Sequence, residues 1–323
     1  MKISRKILLA ALTALFIAGP ALAAQQSFDA WLAHFREEAR RKGISQSTIN
    51  QALTNIQPIA RVIELDQKQP EGQKTFAQYK AMIVNPKRIK DGREYFQAYR
   101  RELEQVGQKY GVPPQYIVAL WGIETNYGSN MGGFNIIPAL ATLAWDGRRG
   151  SYFKMELVNA LKIIDEGHIT AAKMKGSWAG AMGQSQFMPS SFLAYAVDGN
   201  GDGRRDIWDT EIDVFSSAAN YLMKNGWKKG ERWGRQVTLP ANFPENAIGP
   251  KIKKSLRNWQ KMGVRLPGEK DLPQENTLAS VVAPDGVAGE AFIVYNNYDV
   301  IMNWNRSTYF ATSVGLLADA IAR

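Results

Sequence analysis

The 323-residue chain contains no cysteine. That excludes disulfides and a thiol nucleophile, and it removes the attachment point a lipid anchor would need after signal cleavage. Histidine is nearly as scarce. His168 is one of two in the chain and has no second ligand at helical spacing, so zinc has no support. Apolar runs of the ~20 residues that span a bilayer are also missing. The nearest approach is residues 7–19, with Lys2, Arg5 and Lys6 before it and Pro20-Ala21-Leu22-Ala23-Ala24 after it. A basic head, a short apolar core and an A-x-A site read as a secretory signal peptide, cleaved after Ala23. The mature chain is therefore expected to be exported and soluble. Without disulfides its stability must come from a core, which a 45% hydrophobic content supports in one large domain or two small ones.

Acidic residues are in deficit as well, 30 against 40 Lys and Arg, for a net charge of +10. Three of those charges leave with the signal peptide. The rest are interleaved with acids, as in Arg36-Glu37-Glu38-Ala39-Arg40-Arg41, which is the pattern of solvated helix faces and not of a nucleic-acid surface. On an exported chain the surplus suits an anionic surface such as cell wall or lipid headgroups.

What is present is mostly helical. Phe28, Trp31, Leu32 and Phe35 recur at spacings of three and four, Ser45 can cap a helix over 45–56, and 95–106 reads as a charged amphipathic helix. Pro113-Pro114 open a helix that runs to about Tyr127, where Gly128 can end it. Further helices are expected at 152–166, 190–197, 214–225 and 308–322. The stretch 240–289 carries Pro244, Pro250, Pro267, Pro273 and Pro284. With the β-prone pieces 279–282 and 291–294, it reads as a small strand-and-loop insertion in a helical body.

Two windows are almost free of charge. In the first, Glu124 is the only charged residue between Lys109 and Asp146. Ile117, Leu120 and Trp121 precede it by seven, four and three residues, so on a helix the carboxyl ends an apolar stripe. Desolvation there raises a carboxyl pKa and keeps it protonated near neutrality, as a general acid requires. Most glutamates near helix ends are simply exposed, so position alone leaves both readings open. The second window, 176–197, is rich in glycine, aromatic and amide residues. It suits a neutral sugar, and it equally suits tight glycine-mediated packing. Asp146, beside Arg148 and Arg149, reads as a structural turn.

Three segments taken in order carry a resemblance: Ile123-Glu124-Thr125-Asn126-Tyr127-Gly128, then Leu140-Ala141-Thr142-Leu143-Ala144-Trp145-Asp146-Gly147-Arg148-Arg149, then Ala179-Gly180-Ala181-Met182-Gly183-Gln184-Ser185-Gln186-Phe187-Met188-Pro189-Ser190-Ser191. Together they resemble the lytic murein transglycosylase B family over essentially the whole mature chain. The resemblance implies a lysozyme-like helical core with Glu124 as acid/base and Ser177, Gln186 and Tyr221 lining a sugar cleft. Near the C-terminus Trp304-Asn305-Arg306-Ser307 looks like the family's cleft-completing segment, so Trp304 and Asn305 join the substrate-facing set, as does Tyr127 from the first motif. Thr125 and Trp304 stand where the family more often has Ser and Tyr.

Asp198-Gly199-Asn200-Gly201-Asp202-Gly203 reads D-x-N-x-D-G, the front half of an EF-hand loop. It places Asp198, Asn200 and Asp202 as side-chain ligands and Arg204 at the backbone-carbonyl position. The closing ligand is open. Asp209 holds position 12, Glu211 and Asp213 are alternatives, and the resemblance favours Asp213 in a longer loop. A structural, non-catalytic Ca2+ is expected, the competing reading being an Asx-rich turn that needs no metal.

The expected organisation is a signal peptide at 1–23, N-terminal helices at 24–107, a lysozyme-like core at 108–240 with the loop at 198–213, the insertion at 241–290 and a cleft-completing segment at 291–323. The expected chemistry is cleavage of the MurNAc–GlcNAc bond of peptidoglycan with closure of a 1,6-anhydro ring, the 2-acetamido group assisting, which would need one carboxylate instead of two. The competing reading is a hydrolytic muramidase on the same scaffold, and a third is a calcium-supported wall-binding module. The partners implied are peptidoglycan glycan strands and other cell-wall enzymes, with the protein a periplasmic monomer.

Overall fold

The computed structural model describes residues 26–68 and 74–323. The expected signal segment lies outside them. Among the described residues no helix is long and apolar enough to cross a membrane. The N-terminal part is α1 (Phe28–Arg41), α2 (Gln46–Leu53), α3 (Ala60–Gln67), α4 (Phe76–Ile83), α5 (Pro86–Ala98) and α6 (Arg100–Tyr110). Ser27 and Ser45 cap α1 and α2, and Thr75 forms a full capping box with Gln78 on α4. The amphipathic stretch expected as one helix at 95–106 is instead divided between α5 and α6. Tyr99, between them, has left helical geometry, and its ring packs 5.4 Å from Phe215 and 6.0 Å from Trp121.

The central body comprises α7 (Pro114–Thr125), α8 (Ile136–Asp146), α9 (Gly150–Asp165), α10 (Pro189–Tyr195) and α11 (Glu211–Lys224), with a two-residue ladder of β1 (Phe134–Asn135) and β2 (Lys175–Gly176). Pro114 starts α7 with its missing N–H at a position that has no intrahelical partner. The helix is almost wholly buried, from Tyr116 to Gly122 without a break. α10 is started from outside itself. The buried Glu156 carboxylate of α9 accepts both the Ser190 backbone N–H (2.8 Å) and the Ser190 hydroxyl (2.6 Å), placing a negative charge at the helix N-terminus.

The insertion is a four-stranded antiparallel sheet in the order β3 (Gly234–Val237), β6 (Ala291–Val294), β5 (Leu278–Val282), β4 (Lys254–Ser255), with α12 (Leu256–Lys261) beside it. Both predicted strand pieces are present. The sheet reaches past the expected 241–290 limits at each end, since β3 precedes them and β6 follows. Period-two alternation explains the continuous burial of β6 and of β5 after its exposed first residue, Leu278. Val282, Phe292 and Val294 join the main core, while Val281 and Ile293 join a second core with Trp259 and Phe243. The chain then returns through α13 (Asn296–Trp304) and α14 (Thr308–Ile321), and α14 packs along α7. The insertion also holds α4 in place. Asp285 accepts the Phe76 and Ala77 backbone N–H groups (2.6 and 3.1 Å) and the Tyr309 hydroxyl, and Glu290 pairs with Lys80.

Candidate active site

Glu124 lies in the last turn of α7. The helix stops one residue later, earlier than the expected Tyr127, because Asn126 (φ 49°), Tyr127 (φ 60°) and Gly128 (φ 80°) are all left-handed. Asn tolerates that region and Gly is free in it, whereas Tyr127 is strained there. Packing holds it. Its hydroxyl donates to the Arg88 carbonyl (2.7 Å) and its ring meets Tyr95 and Trp121. Tyr127 was expected to face substrate. At 5% exposure it instead belongs to the core that pins α7 to α5.

The sharp reversal after Glu124 is fastened by Thr125 and Gln184. The Thr125 hydroxyl donates to the Gln184 carbonyl (3.0 Å) and accepts from the Gly128 N–H (3.0 Å). Gln184 accepts from the Trp121 indole (2.7 Å) and donates to the Trp208 carbonyl (2.8 Å), while its own backbone N–H donates to the Ile207 carbonyl. One buried amide thereby joins the catalytic-motif helix, the 176–188 segment and the back half of the acidic loop.

The Glu124 carboxyl is partly buried, and burial pushes it up to about 7. A hydrogen bond from the Trp304 indole N–H (2.7 Å) opposes that shift without reversing it. Among the described residues no charged group contributes to the shift. Trp304 therefore serves as the donor to the carboxyl, across 180 residues of sequence. Its ring packs against Tyr221 (4.7 Å) and Phe187 (5.2 Å). Tyr221 is itself mostly buried, and its hydroxyl donates to the Asn303 carbonyl, which fixes the end of α13. Ser177 Oγ accepts the Ala181 N–H (3.0 Å), closing the tight turn that begins the 177–187 segment. Gln186 (φ 49°) donates to the Met131 and Gly183 carbonyls. Asn305 is exposed and caps the turn into α14 through Ser307.

Sequence reasoning missed Tyr79 on α4. Its hydroxyl pKa is raised by burial and then by the charge of Glu124, so it stands close enough to feel that carboxylate. A tyrosine on a short helix beside other aromatics carries no sequence signal that separates it from core. Arg148 and Arg149, beside Asp146, face α3. They hold the Asp66 carbonyl and the buried Asp66 carboxylate, the latter at 2.7 Å.

In the acidic loop Asp198 accepts N–H bonds from Gly201, Asp202 and Gly203, Asn200 from Asp202, and Asp202 from the Arg204 N–H. Asp213, in the first turn of α11, is buried and reaches back with both oxygens to Gly199 and Asp206, each at 2.7 Å. Asp209 is exposed, and its backbone N–H bonds Asp206. The structure thus draws Asp213, not Asp209, onto the loop. Among the described residues no three His, Cys, Asp or Glu side chains are grouped as a metal site.

The chain can be compared with known proteins on this basis. Residues 27–319 match the family described as the transglycosylase SLT domain. The membrane-bound lytic murein transglycosylase B of Escherichia coli (strain K12) is 35% identical over 259 residues, 79% of this chain and 70% of that one. SltB3 from Pseudomonas aeruginosa, solved in complex with NAG-anhNAM-pentapeptide, superposes with a TM-score of 0.89 at 42% identity, over 92% of this chain and 80% of that one. The Escherichia coli lytic transglycosylase Slt35 in complex with calcium gives 0.78 at 32% identity, over 90% and 92%. The mainly helical, lysozyme-like body is thus the fold that this chain shares with those lytic transglycosylase structures. The chain belongs to the transglycosylase SLT domain family.

Proposed function

We propose that the protein is a lytic transglycosylase that cleaves the β-1,4 bond between N-acetylmuramic acid and N-acetylglucosamine in peptidoglycan, with Glu124 as its single acid/base. The observation that carries this reading is the Glu124 carboxyl, held up to about 7 by burial with only an indole N–H against it. Protonated, it donates to the bridging oxygen as that C–O bond breaks, and the substrate's own 2-acetamido oxygen stabilises the anomeric cation. Ionised, it accepts a hydrogen bond from Trp304 and takes the proton from the sugar's 6-hydroxyl as that oxygen bonds the anomeric carbon. Glu124 ends protonated again, and no water is consumed. Ser177, Gln186, Tyr221, Trp304 and Asn305 are the residues proposed to border the sugar. SltB3 is solved in complex with NAG-anhNAM-pentapeptide, a ligand that carries an anhydro muramic sugar, in keeping with this route. Reduction of a peptidoglycan digest with labelled borohydride tests it. Anhydro ends take up no label, whereas hydrolysis yields a labelled muramitol at each cut.

The basic, apolar N-terminal sequence supports export to the periplasm. The acidic loop fits calcium. Asp213 is buried, and the charges of Asp198 and Asp202 add to the desolvation that raises its pKa, so the cluster favours a cation. Asp198, Asn200, Asp202 and Asp213 would hold the ion, with the Arg204 carbonyl. It would neutralise the loop that carries the Ile207 and Trp208 carbonyls to Gln184. Bound only by the folded state, calcium at 100 times its Kd stabilises by about 2.7 kcal/mol. Tm is therefore expected to rise with calcium, much less with magnesium, and not at all in the D198A/D202A double variant. An equal Tm in calcium and in chelator would remove the metal from this scheme.

A further inference from the structure

Ser185 stands out among the polar groups around Glu124. It is 3% exposed, and among the described residues its hydroxyl has no hydrogen-bond partner. It lines a small cavity together with Glu124, Trp121, Gln184, Trp304 and the apolar face of α11. Every other polar group of that lining is engaged. Trp121 is bonded to Gln184, Gln184 to Trp208, and Trp304 to Oε1 of Glu124. The remaining capacity is one serine hydroxyl and the second carboxyl oxygen, Oε2. The space open to a water centre is about 10 Å³, room for a single ordered water, and such a water needs at least two polar partners.

We propose that Ser185 is a positioning residue for Glu124, acting through one water held in this cavity between its hydroxyl and Oε2. This rests on the reading of Glu124 as the acid/base. With Oε1 held by the indole, the water fixes the other oxygen, so the plane of the carboxyl is set from both sides. When Glu124 is the acid, its Oε2–H is left free for the bridging oxygen and the water donates to the remaining lone pair of Oε2. When Glu124 is ionised, the same water donates to Oε2 more strongly, because the oxygen is now charged, while accepting from the Ser185 hydroxyl. The pair therefore stabilises the carboxylate that the second half of the reaction uses, without entering the bond changes itself. Other charges do not confuse the test. Tyr79 on α4 couples to Glu124, whereas Arg88 and Asp91 on α5, Glu104 on α6, Asp213 on α11 and Asp319 on α14 do not contribute to its shift.

The experiment measures kcat, KM and their pH dependence for the full-length enzyme on a soluble glycan oligomer, for wild type, Ser185→Ala and Glu124→Gln. Loss of the hydroxyl leaves the carboxylate less stabilised. The alkaline limb of kcat/KM in Ser185→Ala is expected to move up by roughly half to one pH unit. The same variant should lose about tenfold in kcat, with KM unchanged. Tm should hold, because alanine leaves no buried hydroxyl to satisfy. A crystal structure of the wild type should show one water within hydrogen-bond distance of both Ser185 Oγ and Glu124. An unmoved limb, with or without a fall in Tm, overturns the proposal, as does a dry cavity. An active Glu124→Gln enzyme overturns the acid assignment itself, a result distinct from any change at Ser185.

Discussion

Glu124→Gln is expected to abolish cleavage of purified sacculi while leaving the fold intact. Glutamine keeps the length of the side chain and still accepts the Trp304 N–H, so the packing around α7 has no reason to change. What it lacks is a transferable proton. Loss of one general acid/base costs ~10²–10⁴-fold in rate, and here the same group serves both halves of the reaction, so the loss should lie at or beyond the upper end. Stability should move the other way, with a pH dependence that identifies the cause. The folded-state pKa is about 7 against an ordinary 4.5. The unfolded chain thus releases this proton first as pH rises. Wild-type stability falls between these two values and is flat above them. The Gln variant has no such loss. Below pH 4.5 the two proteins should melt together, and above pH 7 the variant should be the more stable, by up to about 3–4 kcal/mol at 1.36 kcal/mol per pH unit. Thermal melts at pH 4 and pH 8 check the sign. A variant less stable at pH 8 would mean that Glu124 is held as a carboxylate and is not a desolvated acid.

The second large effect is expected at Gly128. Its φ of 80° strains any L-residue, and a Cβ there would lie 2.4 Å from Gln184 Oε1. A flexible side-chain end can often move aside. Gln184 cannot, because its amide is bonded at both ends, to Trp121 and Trp208, and is 5% exposed. Gly128→Ala should therefore cost ~2–4 kcal/mol, from backbone strain and weakened buried hydrogen bonds, and lower Tm by roughly 5–10 °C. Below its Tm the variant should still lose activity, about 10²-fold, because the turn that sets Glu124 against Trp304 is displaced. Gly133→Ala is the control, since nothing lies within 4 Å of a Cβ there and its φ is not left-handed. Equal behaviour of the two variants would show that the turn after α7 does not position the acid.

Much of the site was legible because it sits where charge is scarce. An isolated glutamate at the end of an apolar stripe implies a raised pKa, and burial in the folded chain shifts it in that direction. The donor was not legible in the same way. Trp304 reads as a residue bordering sugar, and nothing local to either residue announces a bond between positions 124 and 304. Gln184 reads only as part of an amide-rich segment, and its function as a fastener exists only through partners distant in sequence, the Trp121 indole, the Thr125 hydroxyl and the carbonyls of 207 and 208. Tyr127 was misplaced because a motif position was equated with a cleft position, while the ring turns into the core.

The fold divides similarly. Striped helices such as α1 and α9 were readable from periodicity, and so were the β5 and β6 pieces. α8 was not, since its buried residues run from Ile136 to Ala144 with only Pro138 breaking them, and a helix covered on all sides has no polar face to mark its period. β3 was missed because Gly234-Arg235-Gln236-Val237 is not a strand sequence in isolation. It becomes one by pairing with β6.

The central claim, cleavage by one acid/base with the sugar's own hydroxyl as nucleophile, is tested most directly by digesting purified peptidoglycan in water enriched in heavy oxygen and weighing the released fragments. An intramolecular hydroxyl can act at an effective concentration of ~10⁵ M or more when well oriented. Every muramic end should therefore be an anhydro ring, lighter by one water than a lysozyme product and carrying no heavy oxygen. Reducing muramic ends that carry the heavy oxygen at the anomeric carbon would contradict it.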